Sequence, residues 1–156
     1  MMEDKIRLTN GFWDGYNNIG IGVVALASAL NHLGSISVPK ALLIIPMVVH
    51  RPTLSYMAHK GTLVRGSAAL VSGQPQLFAN FNGRFESTLP LSLNSIQLLI
   101  HLGYARLGEK IVLKERLNVC AEFGQRAHKI NQASGKLAEM LSEPEEELYL
   151  NLRVQL

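Results

Sequence analysis

Apolar and small side chains fill nearly every position from Ile19 to Leu30 (Ile19, Ile21, Val23, Val24, Leu26 and Leu30 among them). A helix that is apolar almost all round belongs at the centre of a core. Asn17 or Asn18 can cap it by accepting a backbone N–H, and Gly34 stops it after Leu33. Gly20 and Gly22 lower helix propensity but permit close backbone approach. Ser37-Val38-Pro39 opens a second helix, spanning roughly Pro39 to His50 and kinked by Pro46. Arg51-Pro52-Thr53 forces a turn, because the residue before proline avoids the helical region, and a third helix begins near Pro52 or Thr53. Residues 62–87 read as further helix broken near Ser72-Gly73, with Leu77, Phe78, Phe81 and Phe85 on one face.

Ser92 to Leu102 is another amphipathic helix, ended by Gly103. The period then changes from 3.6 to 2. Tyr104–Leu107 and Lys110–Leu113 flank Gly108-Glu109, a type II′ hairpin signal. A helix feeding straight into a small hairpin is a winged-helix pattern. A last long helix runs from about Asn118 to Leu141 on the stripe Val119, Phe123, Ala127, Ile130, Ser134, Leu137, Leu141. Ser142-Glu-Pro-Glu145 reads as a capping box for a final short helix ending near Leu150. The predicted fold is therefore mainly α: a compact multi-helix domain with a winged-helix-like helix plus a small β-hairpin. Residues 1–16 form an N-terminal aromatic arm (Phe12, Trp13, Tyr16), and 17–156 a single helical domain with the hairpin near 104–114.

Composition agrees with this pattern. At 156 residues and 47% hydrophobic, the chain fits one domain with a real core and excludes disorder. Aromatics make up only 6%, so the core is aliphatic, a palette that suits helix packing. The single cysteine, Cys120, is unlike a secreted protein of this size, and residues 1–16 lack the layout of a signal peptide. The apolar stretches Ile19–Leu30 and Ala41–Val49 fall short of the roughly 20 residues a spanning helix needs. A cytoplasmic location without membrane contact is expected.

The net charge is +3 but uneven. Lys40 to Lys136 carries 12 Lys and Arg against four acidic residues, while the last 14 residues hold four glutamates and one arginine. A basic body with an acidic end points to a polyanion or an acidic partner surface, although an ordinary solvated surface accounts for it too.

No catalytic pattern emerges. The five histidines (His32, His50, His59, His101, His128) show no ligand spacing, and HExxH, CxxC, GxSxG, P-loop and GxGxxG motifs are absent. No cofactor or metal is expected. His101 on an apolar face reads as a core histidine, and Cys120 as a small packed hydrophobe. Glu145, Glu146 and Glu147 sit in the first turn of a predicted helix, where the dipole favours carboxylates, and could meet a basic partner. Arg106, Lys110 and Lys114 make the hairpin basic, with Lys110 and Lys114 on one strand face. They are candidates for phosphate contact, or solubilising charges on an edge. The Ser92–Leu102 helix offers only Asn94, Gln97 and His101 as base readers and carries no Arg or Lys, which argues against sequence-specific DNA reading.

Several motifs in order then carry a resemblance. They are "NNIGIGVVALASAL", "VPKALLIIPMVVHRPT", "SIQLLIHLGYARLGEKIVL" and the closing "EEELYLNLRVQL". Together they resemble the middle component of bacterial three-component ABC ATPase systems. The matching positions are Asn17 or Asn18, Pro46, His50-Arg51-Pro52-Thr53, Leu102-Gly103, and the Glu-Glu-x-Tyr-x-x-Leu-x-Val tail from Glu146 to Val154. The resemblance implies a non-enzymatic adaptor that bridges an ABC/SMC-like ATPase subunit and an effector subunit, often a nuclease. The Lamassu type of anti-phage and anti-plasmid defence is its best-known setting. DNA would be sensed mainly by the ATPase, with a secondary contact from this chain. The residues nominated for partner contact are Asn17, Asn18, His50, Arg51, Pro52, Thr53, Glu145, Glu146 and Glu147; those for DNA are Arg106, Lys110 and Lys114. A free-standing winged-helix DNA-binding regulator is the alternative, and a small enzyme using His and Cys120 a third.

Overall fold

The computed structural model describes residues 19–62 and 65–156. The N-terminal arm and the capping positions Asn17 and Asn18 lie outside them. Helix α1 (Ile19–Leu33) is the central element, buried without interruption from Gly22 to Leu30. Its small residues allow this: Ala25, Ala27 and Ala29 are fully buried and leave room for helices on every side. Gly34 ends it at φ +74°, donating its N–H to Leu30 O, and releases the chain into strand β1 (Ser35–Ile36).

Ser37 caps α2 (Val38–Ala41) by accepting the Lys40 N–H, with Pro39 in the first turn as expected. The expected single helix to His50 is instead two, α2 and α3 (Ile44–Val48), with Pro46 inside α3. The break falls at Leu42–Leu43 because Pro46 lacks a donor and its ring crowds the carbonyl four residues earlier, that of Leu42. Helix α4 (Arg51–Ala58) follows at a sharp corner: Val38–Val48 and Arg51–Ala58 are bent by 99°.

Helices α5 (Ser67–Gly73) and α6 (Pro75–Phe78) lead into α7 (Phe81–His101). The Leu77, Phe78, Phe81, Phe85 face is buried as expected, but it spans α6 and α7. The separate helix expected at Ser92–Leu102 is the C-terminal part of this 21-residue helix. Pro90 does not break it. The position is exposed, so water can satisfy the freed carbonyl, and Phe81 and Phe85 on one side and Ile96 and Leu99 on the other hold both halves in the core.

Gly103, at φ +86°, turns the chain into strands β2 (Ala105–Leu107) and β3 (Ile111–Leu113). The register Leu107↔Ile111 leaves Gly108, Glu109 and Lys110 as the loop, and Gly108 does not take positive φ. The expected two-residue type II′ turn is therefore not formed. Strand β1 pairs antiparallel on the other edge of β3 (Ile36↔Ile111), giving the order β1-β3-β2. The fold is mainly helical with this small antiparallel sheet.

Beyond the sheet, Asn31 Nδ2 donates to Leu117 O at 2.9 Å and holds the linking segment against α1. A 3-10 turn (Ala121–Phe123) and Gly124, at φ +93°, precede α8 (Gln125–Leu141). The last long helix thus begins seven residues later than Asn118, because the positive φ of Gly124 lies outside the helical region. Cys120 lies before the helix and is exposed, not packed, and Phe123 is 44% exposed. The stripe Ala127, Ile130, Ser134, Leu137, Leu141 is buried as expected. Helix α9 (Glu145–Asn151) closes the chain, with Leu148 and Leu152 in the core. The capping box at Ser142 is not formed: Ser142 ends α8, donating to Glu139 O, and Pro144 stands at the cap of α9.

Candidate partner interface

The corner between α3 and α4 divides its four nominated residues into two inward and two outward. His50 Nδ1 and Thr53 Oγ1 are hydrogen-bonded at 2.7 Å, and Thr53, 1% exposed, lies 3.5 Å from Leu77 O, to which it donates. Arg84 of α7 completes the joint. Its Nη2 donates to Leu77 O at 2.9 Å and its Nε to Pro46 O at 3.3 Å. These carbonyls belong to the last turns of α6 and α3, where helical partners run out. The guanidinium also lies over Phe81, 5.5 Å from the ring centre. Burial, and then the nearby Arg84 charge, lower the His50 pKa below its usual value, and burial lowers that of Arg84. His50 and Thr53 therefore hold the corner, while Arg51 and Pro52 are exposed at its apex. The sequence did not single out Arg84, whose partners lie 7 and 38 residues away.

The acidic end is divided in the same way. Glu145 accepts from Ser37 Oγ at 2.6 Å, which ties α9 to the start of α2; Glu146 and Glu147 are exposed. Tyr149 donates its hydroxyl to Pro39 O at 2.5 Å and meets Phe85 edge-on, 5.9 Å between centroids. Burial, then the Glu145 charge, push its pKa up to about 12. Asn151 Nδ2 donates to Ser67 Oγ at 3.0 Å, and Gln155 N to Asn82 Oδ1 at 2.8 Å. Glu143, just before α9, accepts the Ser67 N–H at 2.9 Å and so caps α5 from across the fold. The tail motif is thus partly structural: Tyr149 and Leu152 fasten it, while Glu146, Glu147, Leu150 and Arg153 face solvent.

The hairpin cations Arg106, Lys110 and Lys114 are all exposed. Lys110 lies in the loop and Lys114 beyond the end of β3, so strand alternation does not place them on a common face, contrary to expectation. His101 is exposed rather than buried, because it ends α7 where the helix leaves the core; Asn94 and Gln97, at helical spacing before it, are exposed too.

A pairing with the outward form of a nucleophile and base is His32 with Ser134, Nε2 to Oγ 3.0 Å. Ser134 is 1% exposed and donates its proton to Asn131 O at 2.6 Å. His32 Nε2 is then the donor, the tautomer opposite to that of an activating base. Among the described residues, no group of three or more His, Cys, Asp or Glu could hold a metal ion, and no single helix is long and apolar enough to cross a membrane.

Residues 21–156 match the family model described as ABC-three component (ABC-3C) system Middle Component 3. No curated protein matches the chain, and no solved structure does.

Proposed function

This chain belongs to the Middle Component 3 family of ABC-three component systems, and we propose that it acts there as a non-enzymatic adaptor between an ABC/SMC-like ATPase and an effector, in Lamassu-type defence against phage or plasmid DNA. The observation that carries the reading is the match over nearly the whole described body, since a middle component has companion components. The surface supports it: the Arg51-Pro52 apex, Glu146 and Glu147 of α9 and the cations of the hairpin are all exposed and open to partners. A nuclease is the effector class we favour, and the cytoplasm the location, where an exposed thiol such as Cys120 stays reduced.

Co-expression with its two companion components tests the proposal. A stable assembly of all three, with the chain required for the other two to co-elute, is the expected result. Purification of this chain alone, with neither companion retained, would refute it.

A second reading has one specific observation in its favour. Helix α7 delivers the chain into the hairpin, and β1 pairs with β3, in the manner of a winged helix. On this reading Arg106, Lys110 and Lys114 touch the phosphates of DNA already held by the ATPase. Replacing all three with glutamine should flatten the salt dependence of DNA binding by the full assembly.

A further inference from the structure

Helices α2, α7 and α9 enclose a groove of ≈ 370 Å³ that the corner and the hairpin do not use. Leu42, Phe85, Leu89 and Tyr149 line it, and Glu145 and Glu146 stand at its side. Leu42 and Leu89 are half-buried, so they present apolar surface to the groove while anchored in the fold. Apart from the fully exposed C-terminal Leu156, the walls are also preset. Tyr149 is fixed by its hydrogen bond to Pro39 O and its edge-on contact with Phe85, and Glu145 by the hydrogen bond it accepts from Ser37. An apolar floor with fixed walls costs little ordering on binding.

The charge at the groove selects the occupant. The chain as a whole is positive, at +3, and Lys40 and Lys110 share an adjoining depression with Glu145, yet the charged residues lining the groove itself are Glu145 and Glu146. A basic flank on the incoming segment would be drawn to it, and an acidic one repelled. The walls are helical apart from Leu42 and Leu156, and no strand residue lines the groove, which favours a helix laid in it over an added strand.

We propose that this groove receives a helical segment of a companion component, one with apolar residues at i, i+3 or i+4, and i+7, flanked by Lys or Arg. The inference rests on the adaptor reading. Its test uses the full three-component assembly, with a photo-crosslinking residue at position 89 and, separately, the exchanges Glu146→Lys and Leu89→Lys. Crosslinks should map to one companion segment of that pattern. Each exchange should weaken association with that companion more than tenfold, while the isolated variant chains keep the helical content of the wild type by circular dichroism. Crosslinks confined to DNA, to a small molecule or to a second copy of this chain would overturn the inference, as would undiminished association of both variants. In those cases the assembly still forms and the adaptor reading stands. A wild-type chain that binds neither companion would remove both.

Discussion

Gly20 and Gly22 lie two residues apart on α1, yet alanine should act on them in opposite directions. A Cβ at Gly20 meets no atom of the described residues within 4 Å. Gly20→Ala should therefore stabilise by about 0.5–1 kcal/mol through helix propensity alone. A Cβ at Gly22 would lie 2.0 Å from Ser95 Oγ, 2.9 Å from Ser95 Cβ and 3.1 Å from Ile45 Cδ1. Rotating Ser95 moves its hydroxyl but not its Cβ, and Ser95 is fully buried, so α1 and α7 must separate. Overpacking of this kind costs about 1–3 kcal/mol, and a contact this short belongs at the upper end. Subtracting the propensity gain of about 1 kcal/mol leaves Gly22→Ala about 2 kcal/mol less stable. For a chain of this length that is a fall of roughly 4–8 °C in Tm. Urea unfolding of wild type, Gly20→Ala, Gly22→Ala, Ser95→Gly and Gly22→Ala/Ser95→Gly measures the effect, and the double variant should show a favourable coupling of about 1–3 kcal/mol. A Gly22→Ala protein as stable as Gly20→Ala would refute the close approach of α1 and α7.

Tyr149→Phe removes the hydroxyl bond to Pro39 O and should cost about 1 kcal/mol at neutral pH by urea titration. Because the folded phenol is raised to about 12 from 10.0, wild-type stability should hold below pH 10 and fall between pH 10 and 12, a loss that the phenylalanine variant lacks. His50 has the opposite sign: its folded pKa lies below 6.5, so the unfolded chain takes up the proton first. Stability should be full above pH 6.5 and decline as pH falls through the folded pKa, with a smaller decline in His50→Asn; equal declines in thermal melts would refute the corner network.

Local chemistry was legible wherever a few neighbouring residues decide the outcome. The all-round apolar run of α1 required a central helix, Gly34 and Gly103 marked its end and the turn into the hairpin, and Ser37 with Pro39 marked the start of α2. Pro46 and Pro90 show where that logic stopped. Pattern alone assigned the kink to Pro46 and separated Ser92–Leu102 from what precedes it. In the fold the ladder yields at Leu42, while α7 runs through Pro90 because its flanking aromatic and aliphatic residues are buried together.

The functional surfaces divide along the same line. Composition and spacing indicated a helical body, an acidic end and a basic hairpin, and the order of motifs carried the resemblance to a middle component. Which of those residues stay in solvent was a tertiary outcome. Thr53 turned inward because Arg84, distant in sequence, gathers the loose carbonyls of two helices beside it. Tyr149 turned inward onto Pro39 and Phe85, while Glu146 remained in solvent. Strand β1 has only two residues, too short to show a period of its own, and exists because β3 lies beside it. Local spacing therefore determined most of the elements and their charge, whereas contacts between residues far apart in the chain decided where some elements break and which faces were consumed by the core or remained exposed.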